Sequence, residues 1–127
     1  ALIAAAGAPL LNEVRGRLDV QSFSRALESV WAVISEATVY IDAQAPWTLK
    51  KTDPMRMASV LYTVIETVRR VTLILQPVMP ESTAKLLDLV GQPTGKRDFN
   101  ALEHRLVPRT PLPEPEGVFP RYVEADA

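Results

Sequence analysis

Four residues stand out by type and spacing. Pro46, Trp47, Lys50 and Lys51 fall within the stretch IDAQAPWTLKK, residues 41–51. An indole carries a flat, polarisable face on which a planar group can stack. A nucleobase stacked on an aromatic side chain gains roughly 1–3 kcal/mol. Two ammonium groups a helical turn or less away could meet the phosphates flanking such a base. A proline directly before the tryptophan fixes its own φ and restricts its neighbour, which gives the ring a set direction of exit. The pattern also fits a second reading, in which Trp47 is an apolar plug packed over a helix end. The residue types leave both open. They agree that Trp47 marks a boundary between elements.

Other chemistry is sparse. Cysteine is absent and His104 is the only histidine, so thiolate or multi-histidine metal sites and a histidine relay are excluded. There is no glycine-rich phosphate loop, paired-histidine motif or nucleophile elbow. Glu66, Glu81 and Asp88 read as solvated helix residues, and Arg69 with Arg70 as a solvated helix face. Trp31, between Val30 and Ala32, reads as core packing. No catalytic and no metal-binding residue is expected.

The chain has 127 residues, a formal net charge of −1 and 47% hydrophobic residues, which suits one domain with a substantial core. Bulk-charge coating of nucleic acid is excluded, whereas a local, specific contact is not. No DNA-binding role is expected. The most apolar stretches are too short to span a bilayer, so no membrane partner is expected and the cytoplasm is the expected location. The chain begins at Ala1 in what reads as mid-helix, so a fragment of a longer protein is expected.

The elements that must position the Trp47 group are helical. Residues 1–18 read as a helix interrupted near Gly7 and Pro9. Asp19 is expected to cap a second helix, whose stripe runs Phe23, Leu27, Val30, Ile34, Ala37, Ile41 and stops before Ala45-Pro46. Thr52 or Asp53 caps a third helix that opens at Pro54 and ends near Gln76, with Met57, Val60 or Leu61, Val64, Val68, Val71 and Leu75 inward. A short helix from Glu81 to about Val90 ends at Gly91, and one or two more turns are expected around Asp98–His104. Beyond Val107, Pro108, Pro111, Pro113, Pro115 and Pro120 forbid helix. The expected fold is all-α: an antiparallel helical bundle over residues 1–106, with an extended proline-rich tail over residues 107–127. The tail carries Leu112, Val118, Phe119 and Tyr122, so it is expected to pack back on the bundle or on a missing neighbour.

In sequence, YIDAQAPWTLKK closely resembles the helix-end signature of the C-terminal helical domain of methionyl-tRNA synthetases. LESVWAVISEA before it, LQPVMPESTAKLLDLVG after it and TPLPEPEGVFPRYVE at the end resemble that family in the same order, over nearly the whole chain. The resemblance implies a class I anticodon-binding bundle that holds the anticodon loop of methionine tRNA, with Trp47 stacked on the first anticodon base, a cytosine. It implies that Phe119-Pro120-Arg121 returns along the bundle toward an N-terminal catalytic domain. That domain would carry HIGH and KMSKS motifs, neither of which occurs in this chain, and would use ATP and magnesium. No cofactor is therefore expected in the chain itself. Thr38 stands where the family usually has asparagine, and the family's first bundle helix, with an asparagine and an arginine that read anticodon bases, is expected to precede this chain. Two alternatives remain: the anticodon domain of another class I synthetase, or a helical protein-interaction or structural domain with no RNA role.

Overall fold

A computed structural model describes residues 2–119. Its elements are α1 (Leu2–Ala5), α2 (Ala8–Asp19), α3 (Phe23–Gln44), α4 (Pro46–Thr52), α5 (Pro54–Leu75), α6 (Pro80–Leu89) and a 3₁₀ turn (Phe99–Glu103). No strand occurs among the described residues. Pro120 and Arg121, and with them part of the expected returning tail, lie outside the described residues.

α5 is the hub: α1, α3, α4, α6 and the 3₁₀ turn all pack on it, and α2 packs on α3. It forms where the sequence demands it. The Asp53 carboxylate accepts a hydrogen bond from the Arg56 backbone N–H at 3.1 Å, and Pro54 occupies the first turn, where its missing N–H costs nothing. The core joins Leu10, Leu11 and Val14 of α2, Ala26, Val30 and Val33 of α3, Val71, Leu73, Ile74 and Leu75 of α5, and Leu87 of α6. α6 closes in a Schellman arrangement. Gly91 adopts φ +76°, its N–H reaches Asp88 O, and the Gln92 N–H reaches Leu87 O.

Four expectations are corrected. Asp19 is not a cap but the last residue of α2. The chain turns through Gln21 at φ 59°, the Ser22 N–H closing back on Arg17 O and the Gln21 N–H on Leu18 O. The left-handed residue that ends α2 thus decides the boundary, and α3 starts with no side-chain cap. Trp31 is not core but 66% exposed. It sits about 100° around the helix from Val30, so when Val30 faces inward it faces sideways. Phe23 and Leu27, from the expected stripe, are also exposed.

The largest correction concerns charge. Glu66, Arg69 and Arg70 are not a solvated face; Glu66 is fully buried and Arg69 is 1% exposed. The hub position explains this. Because α1, α3, α6 and the 3₁₀ turn pack on α5, its second half buries charged residues as well as its apolar stripe. Arg69 donates to Glu66 from Nε at 2.8 Å and from Nη2 at 2.7 Å, and Arg70 donates from Nε at 2.8 Å. The Leu106 backbone N–H donates at 2.9 Å to Glu66 Oε2, the oxygen that also accepts from Arg69 Nε. Arg69 also donates to the carbonyls of Ala101 and His104, and Arg70 to that of Ile3. One carboxylate thereby ties the start of the chain and the segment after the 3₁₀ turn to α5. Gly7 is part of the same packing, since a Cβ there would lie 2.7 Å from Arg70 Nη1.

Burial by itself pushes the Glu66 carboxyl up, but the hydrogen bonds from Arg69, Arg70 and Leu106 and the Arg69 charge outweigh it and hold it below its ordinary value. A carboxylate depressed in the folded state contributes stability that is fully present above its unfolded pKa, about 4.3, and is lost as pH falls through the folded value. Glu66→Gln should destabilise the chain by about 3–5 kcal/mol, because it leaves two buried guanidiniums unpaired. It should also flatten the stability loss below pH 4. Urea unfolding followed by circular dichroism at pH 7 and pH 3.5 checks both. Wild-type stability at pH 7 in the variant would contradict the role given to the cluster.

Candidate nucleic-acid interface

The Trp47 group is built on a tight elbow. α3 ends at Gln44, and Ala45 takes left-handed backbone angles, φ 45° and ψ 65°. Its N–H donates to Ile41 O at 3.0 Å, while its own carbonyl accepts from the Thr48 N–H at 2.9 Å and the Leu49 N–H at 3.3 Å. A single residue therefore closes one helix and opens the next. Pro46 is the first residue of α4 and is buried. The expected helix stop is present, but Pro46 also starts a new helix, which the sequence reading did not anticipate. The residue before a proline is expected to be extended. Ala45 is left-handed instead, and the chain reverses at once.

Trp47, second in α4, is 62% exposed, so it is not the apolar plug of the competing reading. Lys50 and Lys51 are exposed in the last turn of α4. They lie three and four positions after Trp47, the spacings that share a helix face. The helix therefore places an aromatic ring and two ammonium groups on one side of the elbow. Lysines at a helix C-terminus also complement its dipole, which gives them a structural reason as well. Arg56, in the first turn of α5, donates from Nη2 to Gln44 Oε1 at 2.7 Å, and α4 packs on α5. Sequence reasoning missed both Ala45's conformation and this bridge. No pattern in the sequence announces a contact between side chains on different helices.

Two depressions flank the bundle. A groove of about 480 Å³ between α3 and α5 is lined by apolar groups, among them Trp31, Ile34, Ile41, Val68, Met79 and Phe119. A second cleft, about 640 Å³, lies beside the 3₁₀ turn and is lined by Lys96, His104 and Arg105. The Arg69 guanidinium at its floor is already committed to Glu66 and to two carbonyls. His104 is exposed, as expected of a lone histidine. No group of three potential metal ligands occurs among the described residues, and no helix there is long and apolar enough to cross a membrane.

A family model described as the anticodon binding domain of methionyl tRNA ligase matches residues 3–126. The chain belongs to that family. The methionine–tRNA ligase of Rhizobium meliloti is 52% identical over all of this chain, which spans 25% of that protein. The Mycobacterium leprae enzyme is 50% identical over 89% of the chain and 22% of its own length. Among solved structures, the free-state methionyl-tRNA synthetase of Mycobacterium tuberculosis superposes with a TM-score of 0.92 at 45% identity, covering 98% of this chain and 26% of that one. A second structure of that enzyme, in complex with methionyl-adenylate, gives a TM-score of 0.90. The chain thus spans about a quarter of the length of the relatives it matches. Membership of the methionyl-tRNA ligase family sets aside both the other class I synthetases and a helical domain unrelated to RNA.

The elbow carries a stability prediction of its own. An alanine held left-handed costs about 1 kcal/mol or more, which glycine avoids. Ala45→Gly should therefore stabilise the chain by about 0.5–1 kcal/mol. Ala45→Val should destabilise it by more than that, because a β-branched residue fits positive φ poorly. Chemical unfolding of the two variants checks this. Ala45→Gly less stable than wild type would mean that the left-handed turn is not strained.

Proposed function

We propose that this domain reads the anticodon of methionine tRNA for a parent methionine–tRNA ligase. In this reading Trp47 stacks on the first anticodon base, Pro46 sets the direction of the ring, and Lys50 and Lys51 meet the neighbouring phosphates. The observation that carries it is the exposed indole on a proline-anchored elbow with both amines on its face. An unpaired base splayed from a loop is the form in which RNA sequence is usually read by stacking. Methionine activation, with ATP and magnesium, belongs to the parent's remaining sequence, since the HIGH and KMSKS motifs are absent here. The catalytic domain and the tRNA are then the domain's two partners, and the chain alone catalyses no pyrophosphate exchange.

Replacing Trp47 by alanine in the full-length parent should lower kcat/KM for aminoacylation at least ~5- to 150-fold, equivalent to roughly 1–3 kcal/mol of stacking. Methionine-dependent pyrophosphate exchange should stay near the wild-type rate. Trp47→Phe should keep part of the activity, because a smaller ring still stacks. A folded Trp47→Ala enzyme that charges tRNA normally would end the assignment.

The apolar groove fits the same reading. An exposed tryptophan above an apolar trough of α3 and α5 side chains is the surface one more helix would cover. We assign it to a further helix of the parent protein, packed against α3 and α5. Acrylamide should quench Trp31 strongly in a Trp47→Phe form of this chain. A 19F label on Trp31 should be shielded from solvent in the parent. A label equally open in both would leave the groove without this occupant.

A further inference from the structure

The bridge between Gln44 and Arg56 has a topological consequence. Gln44 is the last residue of α3, and Arg56 lies in the first turn of α5. Between them run Ala45, the seven residues of α4, which carry Trp47, and then Asp53, Pro54 and Met55. Arg56 holds both ends of that excursion. Its side chain donates to Gln44 Oε1 at 2.7 Å, and its backbone N–H donates to the Asp53 carboxylate at 3.1 Å. The excursion is thus closed into a loop by one residue whose side-chain and capping hydrogen bonds go to Gln44 and Asp53, not to Trp47 or the lysines. Both side chains of the bridge lie at the surface. A surface hydrogen bond of this kind adds little to the stability of the whole chain. It does remove freedom from the segment it closes, and segmental freedom is what a stacking platform must lose when RNA binds.

We propose that Gln44 and Arg56 are positioning residues for Trp47: their hydrogen bond holds the α3–α4–α5 elbow so that the indole meets the anticodon base already aligned. The proposal rests on the assignment of Trp47 as the stacking residue. It explains why a charged donor at the start of α5 is spent on a neutral amide across the elbow.

The test uses the full-length parent protein, a methionine tRNA transcript and two readouts. These are hydrogen–deuterium exchange of the peptide covering residues 46–52 and the KM for tRNA. Gln44→Ala and Arg56→Met should each speed exchange across that peptide and raise the KM by about 2- to 10-fold, the span expected for one lost hydrogen bond. Exchange in residues 64–75 of α5 should not change. Gln44→Glu, which still accepts from the guanidinium, should restore both readouts. Three results would overturn the proposal. These are unchanged exchange in residues 46–52 in both variants, faster exchange with no change in KM, and a KM raised by Arg56→Met alone, which would make the guanidinium a direct phosphate contact. Trp47→Ala measured alongside separates the two claims. If it leaves the tRNA KM unchanged the stacking assignment fails, whereas the exchange result still judges the clamp.

Discussion

The bundle depends on a carboxylate held between two guanidiniums. Glu66, accepting from Arg69, Arg70 and the Leu106 backbone N–H, fixes the segment after the 3₁₀ turn to α5 directly and the first residues through Arg70. Such a cluster is a poor way to gain net stability, because desolvating three charges costs nearly what their attraction returns. Its effect is on specificity of arrangement. An apolar core tolerates sliding, whereas a buried carboxylate with four donors in place accepts one geometry. Tyr62 adds to it, its hydroxyl donating to Leu106 O at 2.6 Å. With α5 held from its middle to its C-terminal end, its N-terminal turn becomes a fixed base from which the elbow can be aimed.

The elbow makes use of that base. Left-handed Ala45 ends α3 and starts α4 in a single step, buried Pro46 stiffens the start of α4, and Asp53 caps α5 directly afterwards. Few backbone torsions are left free between the two long helices. Under the proposed reading, rigidity of this kind lowers the entropy lost when a base stacks on Trp47. The formal net charge of −1 is consistent with recognition by a few placed groups rather than by counterion release over a broad face.

Much of this was legible in the residues. Asp53, Pro54 and an uninterrupted apolar stripe specify α5 to within a residue at each end, and Gly91 marks the end of α6 through its need for positive φ. The break at Ala45-Pro46 was equally clear. What escaped has a common cause. Sequence patterns sort residues by affinity for water, so Glu66, Arg69 and Arg70 were sent to the surface and Trp31 to the core. The opposite placement follows from tertiary facts, namely that several elements pack on α5 and bury its charged residues, and that α3 leaves Trp31 exposed beside the groove. Asp19 was a reasonable cap by type, but the left-handed turn at Gln21 moved the start of α3 beyond its reach. Ala45 carries no residue-level signal for positive φ, because its conformation is imposed by the two helices it joins.

The central claim is a direct energetic coupling between one side chain and one base, and a double-mutant cycle measures it. The parent protein and its Trp47→Ala variant would each be titrated with a methionine tRNA anticodon stem-loop and with the same stem-loop made abasic at the first anticodon position. Stacking predicts a coupling free energy of roughly 1–3 kcal/mol, so that removing the base should cost the variant little further affinity. Losses that simply add, with coupling indistinguishable from zero, would contradict the account and return Trp47 to the role of an exposed residue with no part in reading the anticodon.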